Sequence, residues 1–123
     1  MGSGPAGPRA DQPPEQLLAA ARERALERLT ALEREYQGIV EASRSANADD
    51  EHDPEGATIA FERQHVMSLR SQAQQQLADI DAATRRLSDG TYGRCQRCGR
   101  PIAPERLAAR PTAVTCVSCA AGR

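Results

Sequence analysis

Four cysteines carry the clearest chemistry in this chain of 123 residues, and all of them lie in its last 29 residues. They form two pairs of identical spacing, Cys95 with Cys98 and Cys116 with Cys119, and seventeen residues separate the pairs. Each Cys-x2-Cys pair brings two thiolates to one ion from a tight turn, and two such turns complete a tetrahedral site with Zn–S distances of about 2.3 Å. Four sulfur ligands leave no open position for water. The spacing therefore predicts one structural Zn²⁺ and no catalytic metal.

Two other uses of these cysteines stay open from the residues alone. Two disulfides would require an oxidising compartment, and the N-terminus shows no basic segment followed by an apolar stretch that would mark the chain for export. A thiol redox sensor, in which oxidation ejects the zinc, would use the same four residues. No apolar run approaches the ~18 residues of a membrane span, so the expected localisation is cytoplasmic.

The region around the cysteines is basic, because residues 90–123 hold six arginines and one acid, Glu105. Zinc ribbons surrounded by arginines often bind the phosphates of nucleic acid. No aromatic stacking platform accompanies these arginines, and they also offset the excess negative charge of four thiolates around one zinc. Direct nucleic-acid binding is therefore the alternative, not the favoured interpretation. The arginines concerned are Arg94, Arg97, Arg100, Arg106 and Arg110.

Two long amphipathic segments precede the cysteines and must position them. Over residues 15 to about 46, apolar residues recur with the alternating four-then-three spacing of a coiled-coil seam. A second such pattern runs over residues 54–88 and stops at Gly90, which suits the left-handed residue after a helix. Helices of about 32 and 35 residues would each span ~50 Å at 1.5 Å per residue. The apolar and small seam residues are Leu18, Ala25, Leu29, Leu32, Tyr36 and Ile39, then Ile59, Val66, Ala73, Leu77, Ile80, Thr84 and Leu87. Four polar residues also occupy seam positions and make the stripe imperfect: Arg22, Ser43, Arg63 and Arg70.

The fold predicted from these elements is all-α. A short connection between the two helices makes a long antiparallel coiled-coil hairpin over residues 15–89, and a small C-terminal four-cysteine zinc finger follows over residues 90–123. Residues 1–14, rich in glycine and proline, are expected to form a disordered tail. An intermolecular bundle would use the same seam, but the intramolecular hairpin, and with it a monomer, is the preferred interpretation.

The connection between the helices concentrates negative charge, with five acids in residues 49–55. Part of this is structural, since Asp53 before Pro54 suits a helix N-cap and Glu55 falls in a first turn, where the helix dipole favours anions. The other acids are not needed for that. Residues 47–56 are therefore a candidate partner-binding tip that would attract a cation or a basic groove, with a bare solvated turn as the alternative. The acids of this tip are Asp49, Asp50, Glu51, Asp53 and Glu55.

No catalytic arrangement accompanies the cysteines or the tip. His52 and His65 lack a neighbouring nucleophile or an open metal site. The sequence contains no Gly-rich phosphate loop and no Ser/His/Asp set. We therefore expect no enzymatic activity.

Three stretches of the cysteine region, GTYGRCQRCG at 90–99, RLAARP at 106–111 and CVSC at 116–119, resemble the DksA/TraR family of C4-type zinc-finger transcription regulators. The resemblance covers roughly residues 50–119, and the first helix matches in character only. It implies binding to bacterial RNA polymerase, with the hairpin inserted into the secondary channel through which nucleotides enter. Acids at the hairpin tip would then approach the catalytic magnesium region and alter initiation, often together with the alarmone ppGpp.

The chain departs from the family pattern at the tip. The family motif there is Asp-x-x-Asp-x-Ala, which Asp50 and Asp53 match, whereas Glu55 stands in place of the alanine. The resemblance ties that alanine position to activity, so an added charge there is expected to weaken or alter the regulatory effect.

A second departure concerns ppGpp. Family contacts to the alarmone use basic residues on the second helix and in a C-terminal helix after the finger. Arg70 matches one of them, but Gln74 and Leu77 are uncharged, and the sequence stops four residues after Cys119. Strong synergy with ppGpp is therefore not expected.

Overall fold

A computed structural model describes residues 11–47 and 54–122 of the chain. Within these ranges four helices occur: α1 (Pro14–Asn47), α2 (Pro54–Asp89), α3 (Pro104–Ala109) and α4 (Val117–Ala120). The described residues form no strand beyond one isolated antiparallel bridge between Arg94 and Pro101. The two long helices confirm the elements that the heptad patterns predicted. None of the helices in the described ranges has a stretch long and apolar enough to cross a membrane.

Local sequence signals account for the ends of the long helices. At the start of α1, the backbone N–H groups of Gln16 and Leu17 donate to the carbonyl of Pro13, at 3.0 and 3.1 Å, and proline at the first helical position has no N–H to leave unpaired. At the end of α2, Gly90 adopts a φ of +79°. The N–H of Thr91 then turns back to the carbonyl of Arg86 at 2.9 Å. This left-handed stop is the one that the sequence predicted.

One compact unit of the structure is Arg24–Leu77, which contains parts of both long helices. Within it α1 and α2 run antiparallel: Ala25 of α1 faces a cavity with Ala73 and Gln76, whereas Glu33, farther along α1, pairs with Arg70, farther back along α2. Its core lies on the predicted seam. Leu32, Ile39, Val66 and Ala73 are buried, and Leu29, Tyr36, Ile59 and Leu69 pack against them.

A charged residue on the seam of this unit is stabilised by its neighbours. The Nε of Arg70 lies 2.8 Å from Oε1 of Glu33, and its guanidinium carbon lies 5.3 Å from the centre of the Tyr36 ring. An ion pair and a cation–π contact together offset the cost of placing a guanidinium beside an apolar stripe. Arg70 therefore joins the two helices, although its position calls for an apolar side chain.

The other compact unit combines the described parts of Met1–Glu23 and Ala78–Arg123. The start of α1, the end of α2 and the cysteine region thus share one core. Arg22, another seam arginine, forms an ion pair with Asp81 across these helices at 3.2 Å. The buried residues of this unit are Leu17, Leu18, Ala21, Ile80, Ala83, Cys95, Ile102, Ala108 and Ala113.

Candidate metal centre

The first cysteine pair lies on a loop that closes on itself. The backbone N–H of Cys95 donates to the carbonyl of Arg100 at 2.8 Å, and the N–H of Gly99 donates to the carbonyl of Cys95 at 2.9 Å. Gly99 has a φ of +76°, a conformation that a side chain would strain. The Arg94–Pro101 bridge closes the base of this loop. Cys95 is buried beneath it, whereas Cys98 is exposed.

The second cysteine pair is positioned by one turn of helix. Cys116 immediately precedes α4, Cys119 lies within it, and the N–H of Ala120 donates to the carbonyl of Cys116 at 2.9 Å. Residues three apart in a helical turn lie on the same side of it. Both sulfurs of this pair can therefore face the first loop.

The four sulfurs lie at the separations that zinc requires. All four Sγ atoms are within 4.8 Å of one another, and the Sγ atoms of Cys98 and Cys116 are 3.8 Å apart. A tetrahedron with Zn–S bonds of about 2.3 Å has edges of about 3.8 Å. All four cysteines are free, so the alternative of two disulfides is wrong for this structure. The cluster is a site for one structural zinc ion, as the spacing predicted.

The electrostatics of the cluster also favour a cation. Backbone hydrogen bonds from Cys116 and Cys98 lower the pKa of the Cys95 thiol to about 6, and a backbone hydrogen bond from Cys119 lowers the pKa of Cys116. The neighbouring sulfurs, Cys116 first and then Cys95, raise the pKa of Cys119 to about 12. Cys95 therefore ionises readily, whereas Cys119 resists ionisation because of the sulfurs beside it. A divalent ion among the sulfurs removes this conflict.

Three arginines that the sequence offered as phosphate ligands instead contact the protein's own backbone. Arg94 donates through Nη1 to the carbonyl of Gly99 at 3.2 Å. Arg97 donates to the carbonyl of Cys119 at 3.2 Å, and Arg106 donates through Nε to that of Thr115 at 2.8 Å. These three guanidiniums therefore form hydrogen bonds within the finger. Arg100 and Arg110 are exposed.

The structure also shows two residues of this unit that sequence reasoning missed. The hydroxyl of Tyr92 donates to the carbonyl of Pro111 at 2.8 Å and so joins the start of the finger to the segment that follows α3. Arg86 of α2 lines a cavity of about 260 Å³ together with Arg106 and Arg110. Its Nη2 is buried and has no hydrogen-bond partner among the described residues. Nothing in the heptad pattern distinguishes Arg86 from a solvated arginine, so the sequence offered no signal for it.

The acidic tip falls in the part of the chain that is not described. Asp49, Asp50, Glu51 and Asp53 lie outside the described residues, and for Glu55 only the backbone is given, as part of α2. Its role as a partner-binding site therefore stays a prediction.

Two long antiparallel helices followed by four cysteines at zinc spacing define a class: helical-hairpin proteins with a four-cysteine zinc finger. Residues 90–123 match the prokaryotic dksA/traR C4-type zinc finger. This segment therefore carries the zinc finger of the DksA/TraR proteins, which confirms the resemblance noted from the sequence.

Similarity that extends beyond the finger points to DksA proteins as well. The chain is similar to a solved structure of transcription factor DksA2 from Pseudomonas aeruginosa, with a TM-score of 0.53 and 28% identity, over 91% of this chain and 84% of that one. It is 43% identical over 58 residues to the RNA polymerase-binding transcription factor DksA of Caulobacter vibrioides, covering 46% of this chain and 41% of that protein. Against the protein of the same name from Haemophilus influenzae, identity is 35% over 89 residues, covering 68% and 61%. The chain thus spans less than two thirds of the length of these curated relatives.

Proposed function

We propose that this protein is a bacterial transcription regulator that binds RNA polymerase and inserts its acidic tip, residues 47–56, into the secondary channel. The observation that carries the proposal is the similarity to DksA2, which extends over 91% of this chain and includes hairpin and finger together. Several relatives are named as RNA polymerase-binding transcription factors. The protein would act in the cytoplasm, as a monomer and without catalysis of its own.

The helical elements suit this role. Residues 47–56 connect the end of α1 to the start of α2, and parts of these two helices pack against each other in Arg24–Leu77. A hairpin is stiffer than a single chain because each helix limits the bending of the other, and carboxylates at its turn can enter a narrow passage. The zinc, with four sulfur ligands, would then stabilise the finger rather than react.

The first test is binding of the purified zinc-loaded protein to purified bacterial RNA polymerase, followed by transcription in vitro. We predict that Asp50→Asn combined with Asp53→Asn keeps polymerase binding but abolishes the effect on transcription, because the tip loses charge while the docking surfaces stay intact. Glu27→Gln combined with Glu41→Gln is the matched control, since it removes two exposed carboxylates from α1 and should leave both properties unchanged. Loss of activity in the control alone would contradict the role of the tip.

Crosslinking locates the tip directly. A photo-crosslinking residue in place of Glu51 should label polymerase segments that line the secondary channel, and the same residue in place of Ala19, near the start of α1, should not. Labelling of DNA or RNA instead, with binding that weakens steeply as salt rises, would favour the nucleic-acid alternative.

The response to ppGpp stays a separate prediction. Weak synergy is expected because Gln74 and Leu77 are uncharged, and Arg70 is engaged by Glu33 and Tyr36. Arg86, Arg106 and Arg110 line a cavity whose basic side chains could bind the phosphates of ppGpp. A binding measurement with ppGpp on the protein alone therefore tests this expectation.

A further inference from the structure

The two cysteine pairs of the zinc site are held in place by different means. The pair Cys95 and Cys98 sits on a loop that its own backbone closes, through the bonds from Cys95 to Arg100 and from Gly99 to Cys95. The pair Cys116 and Cys119 belongs to a single short helical turn. A turn of this length has little stability of its own, so its place opposite the first loop must be fixed by contacts with the rest of the finger.

Two guanidinium groups supply such contacts, one at each end of the second pair. Arg97 lies between the first two cysteines and donates from Nη1 to the carbonyl of Cys119 at 3.2 Å. Arg106, on α3, donates from Nε to the carbonyl of Thr115, the residue before Cys116, at 2.8 Å. The backbone N–H of Gln96 also donates to the carbonyl of Val114 at 2.8 Å. Val114 is the residue before Thr115, so this bond joins the first cysteine loop to the same segment that Arg106 contacts.

We propose that Arg97 and Arg106 are positioning residues for the zinc, and that together they clamp the second cysteine pair against the first. Zinc leaves a four-sulfur site by losing its ligands one after another, and the pair that can swing away most easily leaves first. With both guanidiniums in place, the backbone that carries Cys116 and Cys119 cannot move away from the first loop without breaking one of these two hydrogen bonds. The clamp therefore slows zinc release and keeps the four sulfurs together, within 4.8 Å of one another.

The two contacts should differ in strength. The bond from Arg106 is short and partly buried, whereas the bond from Arg97 is longer and exposed. Water competes for an exposed donor, so its net contribution is smaller. Arg106 should therefore be the more important half of the clamp. The inference does not depend on the partner proposed above, since it concerns only the retention of zinc.

The test measures the rate at which the zinc-loaded full-length protein transfers its ion to an excess of a colorimetric chelator. Arg106→Gln should accelerate release by roughly five-fold and Arg97→Gln by about two-fold, as expected for losing one hydrogen bond each. The double variant should accelerate zinc release by at least the product of the two single effects, on the order of ten-fold. This acceleration is within the range seen when groups that orient metal ligands are removed. Zinc stoichiometry should stay at one ion per chain.

A charge-matched control separates clamping from electrostatics. Arg100→Gln removes the same positive charge from beside the first cysteine loop, but Arg100 is exposed, and the side-chain hydrogen bonds to Cys119 and Thr115 come from Arg97 and Arg106. It should release zinc at the wild-type rate. If Arg100→Gln accelerates release as much as the clamp variants do, or if neither clamp variant differs from wild type, the proposal is wrong.

Two further measurements distinguish loss of the clamp from unfolding of the finger. With cobalt in place of zinc, the thiolate-to-cobalt charge-transfer band of Arg106→Gln should remain but shift or weaken, whereas that of Arg100→Gln should match wild type. Arg106→Lys, which keeps a charged donor, should recover part of the slow release. If Arg106→Gln fails to bind metal at all, the exposed Arg97→Gln variant still decides the question by its rate.

Discussion

Cys95 and Cys119 sit in different electrostatic environments, although both belong to the same four-sulfur cluster. Cys95 is buried and receives backbone hydrogen bonds that lower its pKa to about 6, whereas nearby sulfurs raise the pKa of Cys119 to about 12. In the metal-free protein, Cys95 would therefore be ionised at neutral pH and Cys119 protonated. Zinc binds thiolates, so the ion must displace the remaining protons as it enters.

We predict from these pKa values that zinc affinity rises with pH and that binding releases protons. Near pH 7.5 the protonated Cys119 should contribute at least one proton, and the release should grow as pH falls through about 6, where the Cys95 thiol also becomes protonated. Affinity should accordingly fall more steeply with decreasing pH below that value. Calorimetric titration in buffers of different ionisation enthalpy measures the proton count, and a count of zero at every pH would contradict this assignment.

The buried faces of the long helices are rich in alanine. Ala73 is 1% exposed and Ala83 is fully buried, so small side chains let the two backbones approach where larger ones would separate them. The heptad rule identified most of the seam but missed Leu17, Ala21, Leu69 and Ala83. These residues lie beside the strict seam, and a helix that packs on more than one neighbour buries a wider stripe than the rule describes.

The burial of the seam predicts how substitutions affect stability. Leu32→Ala should lower the free energy of unfolding by about 2–4 kcal/mol, because it removes a buried side chain from the core of Arg24–Leu77 and leaves a cavity. Leu26→Ala makes the same chemical change on the same helix at a position that is 39% exposed, and should cost less than about 1 kcal/mol. Urea unfolding followed by circular dichroism compares the two. Equal losses would mean that α1 does not bury the face described here.

At the scale of the whole molecule, the two compact units depend on different interactions. Arg24–Leu77 is stabilised by the packing of its helices and by the contacts of Arg70 with Glu33 and Tyr36. The unit that contains the cysteines buries several small side chains, among them Ala108 and Ala113, and its largest fully buried side chain is Ile80. A core of this size gives limited stability, so the metal has to supply a large part of it, on the order of 10 kcal/mol.

Metal removal should therefore affect the two units unequally. After chelation, amide hydrogen exchange should accelerate over residues 92–120, because the finger loses the ion that joins its two loops. Protection around Leu32, Ile39 and Val66 should change little, since those residues form a core among themselves. Restoring zinc should restore the protection. A uniform loss along both long helices would show that the packing of Arg24–Leu77 also depends on the metal.

Most of the architecture and the identity of the metal ligands could be inferred from the sequence, because both are periodic or local. Heptad spacing determines which face of a helix is buried, and Cys-x2-Cys spacing determines which atoms can meet at one ion, whatever the rest of the chain does. The disulfide alternative could be rejected only in three dimensions, where sulfur separations can be compared with bond lengths. The contacts of Arg97 and Arg106, and the burial of Nη2 of Arg86, were likewise decided by tertiary structure. An arginine side chain is long and flexible, and it finds its acceptor, or fails to find one, only when segments distant in the chain have packed together.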